Sequence, residues 1–322
     1  MDCDKNNKKK PLIILTGPTA AGKTSLSVRL AERLDCEIIS ADSMQVYKEM
    51  DIGTAKITRQ EMRGIPHHLV DILRPDQPFN VVEFQKRARS AVEDILSRGK
   101  IPLIVGGTGF YIQALLYDID FSDHEEEESY RRELTELSQK KGKEYLHHML
   151  EEVDPAYAAS VHYNNVKRVI RALEYYKETG QRLSDHNEEQ QQKESPYCYA
   201  YFVLNHDRKI LYDRINRRVD QMMADGLLEE VTRLIAKGYT KDMTSMQGLG
   251  YKEFFAYVDG SASLEEVVDQ IKQETRRFAK RQLTWFRREK DVIWIDKGQY
   301  ESDDAILDYM MECLSRRQVI TV

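Results

Sequence analysis

The sequence predicts an α/β fold, a parallel sheet flanked by helices and interrupted by an all-helical insertion domain. Three observations predict it. Short apolar runs alternate with amphipathic stretches over residues 12–105, strand signals vanish over 123–195 in favour of charged helical patterns, and strand-like alternation returns at 197–204. Strands that alternate with helices pair in parallel, because each crossover must return the chain to the same edge of the sheet. Residues 1–121 and 196–322 are therefore read as one core and 122–195 as the insertion.

Each element follows in turn. Leu12-Ile13-Ile14-Leu15 is a short buried strand, and a helix is expected over 23–34. Between them stand Gly17, Pro18, Thr19, Ala20, Ala21, Gly22, Lys23 and Thr24, which spell G-x-x-x-x-G-K-T, the pattern of a phosphate-binding loop. Glycines let successive N–H groups converge on a phosphate, and the following helix turns its positive end to the same anion. Lys23 adds a cation, and the Thr24 hydroxyl suits Mg²⁺. The core is thus expected to be P-loop NTPase-like. Further strands are expected at 37–40, 68–73 and 101–105, with a helix over 81–98. The strand at 101–105 closes in Gly106-Gly107-Thr108-Gly109, a second glycine-rich turn at the carboxyl edge of the sheet, where open α/β sheets bind ligands. The insertion carries an acidic run at 123–128 and a polar stretch at 185–195. Beyond it come a strand at 197–204, long helical patterns, a strand at 292–295 and a helix over 304–316.

Composition limits the setting. The 322 residues, 41% of them hydrophobic, suffice for a folded core. Cys3, Cys36, Cys198 and Cys313 show no C-x-x-C spacing, which argues against a zinc site or a disulfide framework and fits a reducing cytoplasm. The polar start with Lys5, Lys8, Lys9 and Lys10 lacks a signal-peptide core, and no run reaches membrane-span length. A formal net charge of −6 opposes nonspecific coating of nucleic acid but allows a local basic face. A monomer is expected.

Ser40-Ala41-Asp42-Ser43-Met44-Gln45-Val46-Tyr47 follows the second strand and brings Asp42 to the edge that carries the phosphate loop. Three readings of Asp42 stay open: a Mg²⁺ ligand as in small-molecule kinases, a general base, or a cap in which Asp42 or Ser43 satisfies free N–H groups. The Gln45 amide suits a nucleobase edge. His67, His68 and Tyr47 are read as packing or hydrogen-bonding groups. Nucleotide-hydrolysing P-loop proteins close an apolar strand with an acidic Mg²⁺ ligand, whereas 101–105 closes in Gly-Gly. Group transfer is the better reading, with a small-molecule or nucleotide kinase as the alternative.

The C-terminal third suggests the acceptor. Over 272–290 eight basic residues, Lys272, Arg276, Arg277, Lys280, Arg281, Arg287, Arg288 and Lys290, stand against Glu274 and Glu289. Helical spacing aligns several of them in a column, with Phe278, Trp285 and Phe286 interleaved, as a phosphate backbone and stacked bases require. Lys167, Arg168 and Arg171 form a second basic cluster, and Arg214 and Arg218 stand one turn apart. A guanidinium from that pair suits a pyrophosphate, whereas a surface ion-pair helix is the bland alternative.

The ordered set GPTAAGKT, SADSMQVY, GGTGFY, RVIRALE, RINRRVDQMMADGLLEEV, MQGLGYKE and RRFAKRQLTWFR resembles the bacterial tRNA dimethylallyltransferases, also called tRNA isopentenylpyrophosphate transferases, over residues 12–295. Ala21 departs from the Ser of many members, and the Cys/His spacing of the eukaryotic zinc-finger extension is missing. The resemblance implies transfer of a dimethylallyl group from dimethylallyl diphosphate to N6 of the adenosine 3′ to a tRNA anticodon. It implies a catalytic set of Asp42 as base, Thr19 placing the donor and Arg218 on the diphosphate, with Gly17, Pro18, Ala20, Ala21, Gly22, Lys23, Thr24 and Arg214 completing the diphosphate site. Asp42, Ser43, Met44, Gln45 and Thr108 would line a flipped adenosine. Arg168, Arg171, Lys280, Arg281, Gln282 and Arg287 would hold the anticodon stem-loop, and Mg²⁺ would sit at Thr24.

Overall fold

The computed structural model describes residues 9–121 and 128–320. Cys3, Lys5, Lys8 and all but the last residue of the acidic run at 123–128 lie outside them. Six strands, β1 (Lys10–Thr16), β2 (Glu37–Ser40), β3 (His67–His68), β4 (Pro102–Gly106), β5 (Tyr197–Asn205) and β6 (Val292–Asp296), form one sheet in the order β3-β2-β4-β1-β5-β6. Every pairing is parallel. Strands buried on both faces should read as continuous apolar runs, and Leu12, Ile13, Ile14 and Leu15 of β1 are all fully buried.

The helices are α1 (Lys23–Leu34), α2 (Arg59–Met62), α3 (Val81–Ser97), α4 (Gly109–Leu116), α5 (Glu128–Lys141), α6 (Lys143–Val153), α7 (Pro155–Ser160), α8 (Val166–Thr179), α9 (Leu183–Gln192), α10 (Arg208–Ala224), α11 (Leu227–Ala236), α12 (Phe254–Val258), α13 (Leu264–Phe286) and α14 (Asp303–Arg316). The chain divides into two compact units, one of residues up to 116 and from 196, the other spanning 117–195. The first is a P-loop-type parallel sheet with helices around it. The second, among its described residues, is all helical. Its core gathers Leu134, Leu146, Leu150, Val169 and Leu173, while Arg131 grips the buried Glu174 with two hydrogen bonds of 2.7 and 2.9 Å. No helix among the described residues is long and apolar enough to cross a membrane.

One expected strand is largely a loop. Only His67 and His68 pair with β2, because Leu69 and Asp71 adopt φ of 61° and 60°, a left-handed conformation that cannot extend a ladder. Leu73 returns to bridge Tyr47 in parallel. His67 Nδ1 lies 2.8 Å from the Ile65 carbonyl and His68 Nε2 lies 2.8 Å from buried Glu37, so both imidazoles are hydrogen-bonding groups, and Tyr47 is core.

Candidate active site

The carboxyl ends of β1, β2, β4, β5 and β6 converge on one edge, and the loops leaving them build the site. The first is 17–24. Helices α3, α10, α13 and α14 are each capped by a side chain, from Asn80, Asp207, Ser263 and Ser302. Helix α1 has no side-chain cap, because Gly22 in the left-handed conformation (φ 86°) stands at its N-cap. Its first N–H groups are thus left for an anion. Gly17 (φ 146°) runs so close to β5 that a Cβ would lie 2.5 Å from the Leu204 oxygen. Lys23 folds back, its Nζ donating to the Gly17 and Pro18 carbonyls at 2.9 Å each. The Thr24 side chain is exposed.

The second loop carries Asp42. Its Oδ1 accepts from the Met44 and Gln45 N–H groups at 2.8 and 3.2 Å, so the capping reading of this residue holds for one oxygen. Oδ2 has no hydrogen-bond partner among the described residues. The Gln45 amide is already committed, since its Nε2 donates to the Thr54 and Ala55 carbonyls at 3.2 Å each.

Cations ring the phosphate loop. Arg218 and Asp42 lie close enough to Lys23 to act on its ammonium. Burial first, and then the Arg218 charge, push the Lys23 ammonium down to about 8, with Asp42 opposing. Burial also lowers the Arg218 guanidinium, which Asp42 partly restores. Arg214 is exposed and its Nε donates to the Ala20 carbonyl at 2.8 Å. A cation not foreseen from the sequence joins them: a Cβ on Gly22 would lie 3.3 Å from the Nζ of Lys297, which pairs with Asp303 at 2.7 Å. Its signal was its place directly after a parallel strand, at the ligand-binding edge.

A pH dependence follows. Below about 8 Lys23 is charged before any anion arrives, whereas above it binding must take up a proton. Pyrophosphate affinity is expected to weaken as pH rises through that value. Calorimetry at pH 7 and 9.5 against Lys23→Arg, which stays charged and cancels the titration of the ligand itself, checks this. Parallel pH profiles for the two proteins would contradict it.

A cavity of about 340 Å³ opens beside the loop, lined by Thr19, Asp42, Ser43, Met44, Thr108, Arg218, Arg281 and Gln282 among others. On α10 the spacing of Ile215, Arg218, Val219 and Met222 puts one guanidinium within an apolar stripe, and Leu249, Ile271 and Phe278 extend the apolar wall. The sequence offered no site role for Ile215, Val219, Met222, Ile271, Gly53 or Thr54, because apolar residues at helical spacing look like core, while Phe278 was expected only to stack bases and the 247–250 loop entered only within the MQGLGYKE motif.

The cations of the basic helix α13 divide along its length, paired up to Arg277 and, among the described residues, unpaired beyond it. Lys272 pairs with Asp220 at 2.6 Å, Arg276 reaches Asn216 at 2.5 Å and Arg277 meets Glu274 at 2.5 Å. Lys280, Arg281 and Arg287 are exposed and have no ion pair among the described residues. Phe286 is core, and Trp285 packs so tightly that a Cβ on Gly109 would lie 2.2 Å from its Cδ1, so neither is an open stacking platform. Gln282, grouped by sequence with the RNA-holding residues, is buried: its Oε1 accepts from Thr19 N–H and its Nε2 donates to the Gly107 carbonyl, both at 2.9 Å. It braces the first glycine-rich loop against the second. In the other unit, Arg168 and Arg171 stand exposed on α8.

An anion-binding loop, a carboxylate beside it and a cavity with an apolar wall define a P-loop-type group transferase. The IPP transferase family model matches residues 45–289, and the isopentenyl transferase model matches 10–73. The chain is 57% identical to a tRNA dimethylallyltransferase of Lachnoclostridium phytofermentans over 311 residues, 97% of this chain and 99% of that protein. It is 53% identical to the enzyme of the same name from Bacillus licheniformis, covering 90% and 92% of the two. Among solved structures, the full-length tRNA isopentenylpyrophosphate transferase of Bacillus halodurans superposes with a TM-score of 0.73 at 45% identity, over 97% and 98% of the chains. A eukaryotic dimethylallyltransferase acting on tRNA gives 0.78 at 29% identity, over 95% of this chain and 78% of that one. The chain belongs to the tRNA dimethylallyltransferase family.

Proposed function

We propose that this protein transfers the dimethylallyl group of dimethylallyl diphosphate to the exocyclic N6 of the adenosine 3′ to a tRNA anticodon, releasing pyrophosphate. One observation carries the reading: Thr19 of the anion-binding loop, Arg218 and Asp42 face one cavity that also has an apolar stretch of Ile215, Val219, Met222, Leu249, Ile271 and Phe278 in its wall. A donor with a charged diphosphate and a five-carbon hydrocarbon needs that pairing. Gly17, Pro18, Thr19, Ala20, Ala21, Gly22, Lys23 and Thr24 hold the diphosphate, with Arg218 and Arg214, while Ile215, Val219 and Met222 cover the dimethylallyl group.

As the carbon–oxygen bond breaks, negative charge grows on the leaving pyrophosphate. Loop N–H groups, Lys23 and Arg218 stabilise it more than they stabilise the bound donor, which is what lowers the barrier. N6 of adenine is a weak nucleophile. Asp42 takes its proton through Oδ2 as the new carbon–nitrogen bond forms, while the Oδ1 bonds to Met44 and Gln45 hold the carboxylate in aim. Ser43, Met44 and Thr108 contact the adenosine, and Gln45 supports that surface through its bonds to the 54–55 backbone.

Mg²⁺ fits the residues present. Among the described residues the exposed Thr24 hydroxyl has no hydrogen-bond partner, and no group of three or more His, Cys, Asp or Glu forms a protein cage. An ion that keeps its waters and takes phosphate oxygens suits such a site. When bound it would neutralise diphosphate charge. Arg168, Arg171, Lys280, Arg281 and Arg287 hold the anticodon stem-loop, and the protein acts as a cytoplasmic monomer.

Incubation of the protein with unmodified tRNA, Mg²⁺ and labelled dimethylallyl diphosphate, without ATP, should move label into RNA. RNA left unlabelled, with ATP-dependent phosphorylation of a small molecule instead, would sink this reading. Replacing Lys280 and Arg281 by Ala together should weaken tRNA binding and flatten the plot of log affinity against log salt by roughly one to two units of slope. An unchanged slope would return that part of α13 to ordinary solvated surface.

A further inference from the structure

Glu230 on α11 has an environment that helix-surface packing does not require. It is 2% exposed, yet its carboxylate is fully engaged. Oε2 accepts from the N–H groups of Asp51 and Ile52 at 2.9 Å each, and Oε1 accepts from Gly53 N–H at 3.1 Å and from the Tyr251 hydroxyl at 2.7 Å. A buried carboxylate is tolerated only when donors replace its lost water, and hydrogen bonds to a charged acceptor are the strong kind. Burial first, with Glu230 next, raises the Tyr251 phenol well above its usual range, so it remains a donor at any working pH.

The two segments that Glu230 ties together both line the cavity. Gly53 and Thr54 come from one, Gly248, Leu249 and Gly250 from the other. They meet closely: a Cβ on Gly53 would lie 2.6 Å from the Tyr251 ring, and one on Gly248 would lie 2.8 Å from Met44 Sδ. From this latch a path of hydrogen bonds joined by short covalent stretches of chain reaches the carboxylate assigned to proton removal. Glu230 fixes 51–53, the Thr54 and Ala55 carbonyls beyond them accept from the Gln45 amide, and Gln45 N–H donates to Asp42 Oδ1.

The geometry points to Glu230 as a positioning residue, one that aims Asp42 through the 51–55 segment and Gln45 without touching substrate. This inference rests on the reading of Asp42 as the base. Its test is a single-turnover cycle in label transfer. Glu230→Gln keeps the volume of the side chain but turns an NH₂ toward N–H donors, so the 51–53 segment must shift.

In the presence of Asp42 the rate is expected to fall about tenfold, the scale of a sub-ångström misplacement, with affinity for tRNA and for pyrophosphate changed less than about twofold. In an Asp42→Asn background the same substitution should change the residual rate less than about twofold. An equal further loss in both backgrounds would make Glu230 a general support of the fold and overturn the proposal. Where Glu230→Gln fails to fold, Tyr251→Phe removes a single donor from Oε1 and is expected to give the same pattern at about threefold. The Asp42→Asn variant alone separates the two levels: full activity there removes the base and the positioning role with it, whereas slow transfer with equal losses removes only the positioning role.

Discussion

Replacing Asp42 by Asn is expected to slow the chemical step by on the order of a hundredfold or more, with tRNA affinity within about twofold of the unaltered protein. The amide keeps an oxygen that can accept from Met44 and Gln45 N–H, as Oδ1 does at 2.8 and 3.2 Å, so the turn survives. What disappears is the basicity of Oδ2, which has no hydrogen-bond partner among the described residues. Single-turnover transfer of labelled donor, with tRNA binding measured separately, distinguishes the roles. A loss confined to tRNA affinity would make Asp42 a reader of the adenosine.

The second large effect is expected at Arg218. Arg218→Gln should lower the transfer rate by roughly a hundred- to a thousandfold, the usual loss when a donor to developing charge is removed from a desolvated site. Donor affinity should fall much less. The loop N–H groups and Lys23, already charged below about 8, still hold the bound donor, so the loss falls mainly on the transition state. Exposed Arg214, tied to the Ala20 carbonyl, should cost less when replaced by Gln. Equal losses in rate and donor affinity for Arg218→Gln would mean that it binds the diphosphate uniformly and does not favour the transition state.

The parts of the molecule legible in the sequence are those governed by local chemistry. The apolar run ahead of Gly17, the helix that opens at Lys23 and the glycine-rich end of β4 are each written in consecutive residues, and all three appear in the structure as read. The 68–73 segment was misread because its apolar composition resembles a strand, while the left-handed Leu69 and Asp71 that end it depend on a tertiary bridge to Tyr47. Gln282 was grouped with its basic neighbours, whereas the structure buries it between the two glycine-rich loops. Its spacing from Ala279 and Phe286, three before and four after, puts it on the buried face of α13, and that periodicity was the available signal. Glu230 gave none, because an acidic residue in the first turn of a helix looks like a response to the helix dipole. Its partners, Asp51, Ile52, Gly53 and Tyr251, become visible only when the chain is folded.

On the function proposed above, the loop at 17–24 holds the diphosphate leaving group of a prenyl donor. Steady-state label transfer to tRNA at varied donor concentration, with pyrophosphate or ATP added, tests it most directly. The account predicts transfer without ATP and inhibition by pyrophosphate that is competitive with dimethylallyl diphosphate and lost in Lys23→Ala. Transfer that requires ATP, or inhibition by pyrophosphate that is noncompetitive with the donor, would contradict it.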